Sequence, residues 1–304
     1  MKRIGIYLFI GTVLCACSGS DDRDLPLPDV EKTPVVLSAG LPVKSRAVIN
    51  TGDRFTAGVG GWETAGTAAD YTAAATWSTT AAITASASVR TVELAEKQHY
   101  SDNDAIRTYM QAWYPMGELS DGKVSFDNPD GTVDAMMAGE VSGSKEDNTG
   151  KVLNFTHRTT QLKFKVVADP SLPQGTTLKR ISVKGVRLPM GFNLAAGKVV
   201  FEENPGALTV PGLATPLEIP GEAAAAGEPV MVMPMTGNTV GLEIETSEAT
   251  YSDVVATIDD DDDFVEGKAY VITLTFRGQS SGQTLGLSAI VTEWTHGTGS
   301  AEIK

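Results

Sequence analysis

Residue types that could carry out catalysis are few in this chain and stand far apart. The three histidines, His99, His157 and His296, have no cysteine or second histidine at the spacing of a zinc site. The phosphate-binding glycine loop, the dinucleotide fingerprint and the serine turn of hydrolases are also missing from the sequence. Since His157 directly precedes an alternating apolar run, we expect it to have a structural role. The sequence predicts no catalytic residue, no cofactor and no specific metal site.

The densest group of carboxylates is a run of aspartates at 259–263. Adjacent carboxylates attract cations, but the run lacks the ligand spacing, the glycine and the terminal glutamate of a calcium loop. Mutual repulsion favours a solvated loop, and a cation site is the alternative. The whole chain has a net charge of −14, which repels phosphate backbones and disfavours nucleic acid as a partner.

Both cysteines follow an N-terminal apolar segment at 4–14, which is too short to cross a bilayer because a spanning helix needs about 20 residues. The block LCAC, which ends at Cys17, resembles a bacterial lipobox. This resemblance predicts a lipoprotein signal peptide over 1–17, with Cys17 carrying the lipid. An ordinary secretory signal or a buried thiol pair is the alternative. The polar residues 18–34 predict a tether.

An apolar segment with a period of two begins directly after the tether. The period predicts a strand with one buried face, and the positions on that face are Val35, Leu37, Ala39, Leu41 and Val43. Pro42 cannot donate a hydrogen bond to a neighbouring strand, so we expect a sheet edge or a strand end here.

Short alternating runs dominate the rest of the chain and predict an all-β protein. Clear examples are QLKFKVV, TVGLEIET, YVITLTF and LGLSAIV, with proline and glycine clusters between such runs. This spacing predicts β-sandwiches. A polar, glycine-rich segment at 136–150 marks a loop or a domain boundary, and the predicted domains are 35–148 and 149–304.

Several pieces of the sequence, taken in order, resemble the fimbrillins, the structural subunits of the type V pili of Bacteroidota. The pieces are the lipobox, the strand followed by Arg46-Ala47, YMQAWYP, LNFTHRTTQLKFKV, FVEGKAYVITLTF and LSAIVTEWTHGTGS. The resemblance implies two tandem transthyretin-like antiparallel β-sandwich domains and no enzymatic activity. It also implies a pilus subunit at the cell surface, whose precursor is an outer-membrane lipoprotein and whose partners are other pilin subunits.

The same resemblance implies processing and strand exchange. An Arg-specific protease would cut between Arg46 and Ala47, and residues 35–46 would leave as a removable leader strand. A C-terminal strand of the next subunit would then fill the groove. The donor residues that the resemblance implies are Leu285, Leu287, Ala289 and Val291. If 285–292 is instead a permanent core strand, the chain is better described as a tip subunit, so the stalk and tip roles both stay open.

Burial energies are consistent with such an exchange. Burying Val or Leu contributes about 1.5–3 kcal/mol per side chain, so Val35, Leu37, Leu41 and Val43 would contribute at most about 6–12 kcal/mol. A domain is stable by only about 5–15 kcal/mol, so an empty groove should be refilled. A leader that dangles in solvent, or that is embedded centrally with neighbours paired along both its edges, would overturn the strand-exchange hypothesis.

A second hypothesis is an uncleaved surface lipoprotein that binds host or bacterial glycans. It would use the four tryptophans as stacking platforms on a β-sandwich, and these are Trp62, Trp77, Trp113 and Trp294.

Overall fold

The computed structural model describes residues 32–40, 49, 52–86, 88–213, 217–258, 263–278 and 287–293. Regular structure within these ranges consists of β-strands, which confirms the all-β prediction. The strands of the first half are β1 (Leu37–Gly40), β2 (Arg54–Thr64), β3 (Trp77–Thr84), β4 (Arg90–Leu94), β5 (Arg107–Tyr114), β6 (Glu118–Ser120), β7 (Lys123–Ser125), β8 (Met136–Gly143) and β9 (Val152–His157).

The strands of the second half are β10 (Thr160–Ala168), β11 (Thr177–Val186), β12 (Pro189–Asn193), β13 (Lys198–Phe201), β14 (Gly206–Thr209), β15 (Leu217–Glu218), β16 (Ala224–Ala225), β17 (Val230–Val232), β18 (Thr239–Thr246), β19 (Thr250–Ile258), β20 (Ala269–Phe276) and β21 (Leu287–Glu293). The described residues contain no helix long and apolar enough to cross a membrane.

Seven strands of the first half close into a barrel in the order β1-β4-β3-β2-β5-β8-β9. Buried apolar residues alternate with exposed polar ones in strands such as β9, because successive side chains of a strand point to opposite faces. The inward residues form one core, in which the Phe55 ring packs edge-on against Phe155 at 5.4 Å and Tyr114 at 5.3 Å between ring centroids. The predicted boundary at 148 and 149 falls inside this barrel, between β8 and β9.

The second half is built on one large sheet in the order β14-β11-β18-β19-β21-β20-β10-β16, with β15 on β11 and β17 on β10. Its core is aliphatic and aromatic, and strand β18 shows the expected alternation with Val240, Leu242 and Ile244 buried. Most strand pairs among the described residues are antiparallel, as predicted. The described parallel pairs are β1 with β9, β10 with β20 and β19 with β21.

A third sheet joins the two halves in the order β13-β12-β7-β6. The first half contributes the β6–β7 hairpin, which turns through Asp121 and Gly122 with positive φ angles of 46° and 69°. The second half contributes β12, which pairs with β7 from Gly191 to Asn193. A core cluster with residues from both halves lies at this junction, including Trp62, Trp113, Val124, Met137, Phe192 and Leu194. The residues Thr33–Lys304 therefore pack as one unit.

Candidate strand-exchange site

The predicted leader strand lies in the barrel wall as β1. Val35, Leu37 and Ala39 are buried, while Val36 is 49% exposed and Ser38 is half-buried. This alternation confirms the predicted period of two over 35–39. The strand ends at Gly40, while Leu41 and Val43 of the leader lie outside the described residues.

One edge of β1 pairs antiparallel with β4 and with the chain that follows β4. The register places Leu37 opposite Val92 and Ala39 opposite Arg90. Further along, the Val35 amide donates to the carbonyl of Gln98 at 2.8 Å, and the Tyr100 amide donates to the carbonyl of Thr33 at 3.0 Å.

The other edge of β1 pairs parallel with β9. Ser38, Ala39 and Gly40 lie opposite Val152, Leu153 and Asn154, respectively. Of the two alternatives that Pro42 suggested, a sheet edge does not describe β1, because it occupies a slot between two neighbours, whereas a strand end agrees with the end of β1 at Gly40. The physical reason for the slot is that the barrel is closed, so that β1 fills the gap between the β4 edge and the β9 edge.

The floor of this slot is the barrel core. Leu153 and Phe155 of β9 have no exposed surface, and Val92 of β4 is buried. Ile49, which follows the Arg46-Ala47 bond, is buried in the same cluster. The sequence analysis did not assign these residues to the groove, although the alternation in LNFTH is the signal that could have identified β9.

A charged network supports the β9 rim of the slot. The Lys151 ammonium lies 2.7 Å from Asp147, and its side chain is only 11% exposed. Arg107 also pairs with Asp147, and its Nε donates to the Ser142 hydroxyl at 3.1 Å. Hydrogen bonds from Lys151 and then Arg107 lower the pKa of Asp147.

A cleft of about 340 Å³ runs along the outward face of the leader. One wall is formed by Val36 and Ser38 of the leader, together with Thr33 and Pro34 just before it. The other wall is the loop 148–151. Burial raises the pKa of the neighbouring Tyr100 to about 12. The phenol is therefore neutral in the physiological range and contributes no charge to this region.

In the second half, the first strand is β10, and it lies between the same kinds of neighbour as β1 does in the first half. Strand β10 also has a parallel neighbour, β20, and antiparallel neighbours, β16 and β17. Eight residues of β10 are in register with β20, whereas three residues of β1 are in register with β9. The leader is thus the shorter strand of the two.

The predicted donor segment lies within the sheet of the second half. Residues Leu287 to Glu293 form β21, which pairs antiparallel with β20 over seven residues and parallel with β19. Leu287, Ala289 and Val291 belong to this strand, and Leu285 lies outside the described residues. Cys17, Arg46 and Ala47 also lie outside them.

The three tryptophans that the structure describes do not form an exposed platform. Trp62 and Trp113 are buried, and their indole nitrogens donate to the carbonyls of Ala73 at 3.0 Å and Met116 at 2.6 Å. Trp77 is half-buried, and Trp294 lies outside the described residues. The two buried indoles cannot stack on a glycan without rearrangement of the core.

The remaining polar candidates have structural partners. His157 Nδ1 lies 3.0 and 2.9 Å from the two carboxylate oxygens of the buried Asp134, which fits the predicted structural role. Asp263 accepts a hydrogen bond from the Gly237 amide at 2.7 Å, and the other aspartates of its run lie outside the described residues. A group of three or more possible metal ligands was not found where the chain is described.

A sequence model of fimbrillin-like proteins matches residues 45–294. The chain belongs to the fimbrillin-like family. The matched region of this fimbrillin-like chain includes β2 to β21, and β1 lies before it. A comparison with curated proteins found no match.

Solved structures from Bacteroides share the fold of the fimbrillin-like chain. A candidate cell adhesion protein of Bacteroides uniformis has 21% identity and a TM-score of 0.53, covering 86% of this chain and 99% of its own. A second, from Bacteroides ovatus, has 15% identity and the same TM-score of 0.53, with coverages of 88% and 99%. A third, from Bacteroides fragilis, has 12% identity and a TM-score of 0.53, with coverages of 88% and 100%.

Proposed function

We propose that this chain is a non-enzymatic subunit of a cell-surface fimbrium, exported as an outer-membrane lipoprotein with lipid on Cys17. An Arg-specific protease cuts between Arg46 and Ala47, β1 leaves with the anchor, and a strand of another pilin subunit fills the slot. Membership of the fimbrillin-like family supports the fimbrial role. The observation that carries the exchange step is the slot itself, in which β1 lies between β4 and β9 and pairs with both.

The pairing of β1 along both edges meets the criterion against release that the sequence analysis set, so the proposal requires a different way for the leader to leave. Because both edges are paired, release opens the barrel wall, whereas an edge strand would only peel away. Two features make this opening feasible. The described pairing with β9 covers only three residues, and a cut after Arg46 removes the covalent link between β1 and the barrel.

The empty slot would be costly to leave open. Loss of β1 exposes the backbone edges of both β4 and β9 and uncovers the apolar floor at Leu153 and Phe155. Val35 and Leu37 alone contribute roughly 3–6 kcal/mol of burial, as an upper bound. An incoming strand restores both sets of backbone hydrogen bonds and the buried area.

The placement of β21 supports an acceptor role, as in a tip subunit. Donation of β21 would break its pairing with both β19 and β20 and would split the large sheet. We therefore propose that β21 stays in its own sheet and that the incoming strand belongs to a different subunit.

The deciding experiment is the mature N-terminus of protein taken from the cell surface, determined by mass spectrometry. We expect Ala47 in the wild type, and a retained lipid on Cys17 in the Arg46→Ala variant. The matched control is Lys44→Ala, which removes a neighbouring basic residue and should not change processing. A wild-type chain that keeps its lipidated Cys17 would overturn the proposal in favour of a permanent anchor.

A further inference from the structure

The inward-facing side chains of β1 differ in volume. Leu37 has no exposed surface and Ala39 is 2% exposed, although leucine is much the larger side chain. Ala39 lies opposite Arg90 on one side and Leu153 on the other, and belongs to the same packed cluster as Phe155. Close-packed cores resist added volume, so a leucine at position 39 would force its neighbours apart.

Position 40, the next along the strand, has room for a methyl group. A Cβ atom added to Gly40 would lie 3.6 Å from Val89 Cγ2 and 3.7 Å from Asn154 Oδ1, which are ordinary van der Waals contacts. Alanine therefore fits at position 40 without displacement of its neighbours. One added methyl group is thus tolerated at position 40, whereas the space around the buried Ala39 is already filled.

We propose that the vacated slot selects its incoming strand by the size of alternate side chains. This inference rests on the strand exchange proposed above. The occupant is an extended pilin segment that presents an aliphatic residue, a leucine and an alanine or glycine at the places of Val35, Leu37 and Ala39. It runs parallel to β9 and antiparallel to β4, because the pairing on the two sides fixes its direction.

The chain contains a second segment with this pattern of side-chain sizes. The tripeptide Leu37-Ser38-Ala39 recurs as Leu287-Ser288-Ala289 at the start of β21. Both strands lie between one antiparallel and one parallel neighbour. A free peptide of residues 285–293 should therefore fit the slot, although β21 itself is held in its own sheet.

Peptide rebinding tests the selection. The chain that begins at Ser18 is cut with an Arg-specific protease, and the leader is removed by gel filtration in mild denaturant. Binding of labelled peptides is then measured by fluorescence anisotropy. The peptides are residues 33–43, the same peptide with Ala39→Leu or with Gly40→Ala, and residues 285–293.

We expect the unmodified, Gly40→Ala and 285–293 peptides to bind within about threefold of one another, and the Ala39→Leu peptide at least about tenfold more weakly. Equal binding of the Ala39→Leu peptide, or no binding of 285–293, overturns the size selection alone. No binding of the unmodified leader overturns the exchange function itself. The melting temperature of the uncut chain is an independent test. Ala39→Leu should lower this temperature more than Gly40→Ala does. Equal melting temperatures would overturn the inference even if the cut chain does not fold.

Discussion

The amide nitrogen of Ser38 donates a hydrogen bond of 2.9 Å to the carbonyl oxygen of Lys151. Lys151 also forms an ion pair with Asp147, which in turn holds Arg107 of β5. The leader is thus hydrogen-bonded to a rim that charged side chains of the barrel keep in place. This rim belongs to the part of the chain that remains after a cut at Arg46.

The Asp147→Asn variant should weaken the hydrogen bonding between the leader and the β9 rim. It should also remove the dependence of this hydrogen bonding on pH. The folded chain lowers the pKa of Asp147 below its ordinary value of 3.8. A lowered carboxyl pKa stabilises the folded state above the ordinary value, and this contribution is lost as pH falls through the lowered value. Hydrogen exchange at the Ser38 amide should therefore speed up, relative to the intrinsic rate, as the wild type is acidified below about pH 3.8.

The Asp147→Asn variant should show faster exchange at neutral pH and little further change on acidification. Asp104→Asn is the matched control, since Asp104 pairs with Lys145 at 3.2 Å on the exposed surface of the same loop region. An equal response of the two variants would mean that Asp147 has no special part in holding the rim.

Leu37→Ala should destabilise the uncut chain much more than Val36→Ala. Leu37 is fully buried and Val36 is 49% exposed, although they are neighbours in the same strand. Truncation of a buried leucine costs about 2–5 kcal/mol, whereas an exposed position changes stability by about 0.5 kcal/mol or less. Urea denaturation, followed by circular dichroism, measures the difference. Similar midpoints for the two variants would show that β1 adds little to the barrel.

A disulfide between β20 and β21 should leave assembly unchanged if β21 is never donated. Thr273 and Ile290 are direct cross-strand partners, so Thr273→Cys with Ile290→Cys places two thiols at a spacing that antiparallel strands allow. The mature chain after Arg46 has no other cysteine. Incorporation into fimbriae is compared with and without reductant. Assembly that occurs only in reductant would show that β21 is the donor strand and would exclude the acceptor-only role.

Gly191→Ala should weaken the sheet that joins the two halves. A Cβ at Gly191 would lie 2.2 Å from the Val124 carbonyl oxygen, so the β7–β12 pair would have to separate. Gly206→Ala is the matched control, because a Cβ there meets nothing within 4 Å. Differential scanning calorimetry should show one main transition for the wild type and the control, and two for Gly191→Ala. A single transition at the wild-type temperature in all three would contradict the role of this sheet.

The burial pattern of the leader could be predicted from the sequence because it depends on local alternation. Val35, Leu37 and Ala39 follow the period of a strand, and the structure buries all three. The neighbours of that strand could not be predicted in the same way. Its partners β4 and β9 lie far along the chain, and sequence periodicity contains no information about which distant strands pair. Pro42 suggested a sheet edge or a strand end, and the end of β1 at Gly40 agrees with the second of these.

The sheet that joins the two halves could not be predicted from the sequence for a related reason. Strands β6 and β7 have three residues each, which is too short for a clear alternation. The turn at Asp121 and Gly122 was the available signal, since that dipeptide favours a tight hairpin. The polar segment at 136–150 suggested a domain boundary, whereas the chain returns to the barrel through β9 immediately afterwards.

The sheet shared by β7 and β12 also affects how the molecule withstands digestion. The exposed loop between β8 and β9 is a natural point of attack for proteases in the surroundings of the cell. A nick there would leave β9 paired with β8 and β12 paired with β7, so both fragments would stay bound to each other. A chain that is nicked in this loop should therefore still elute as one particle in gel filtration and separate into two fragments only in denaturant.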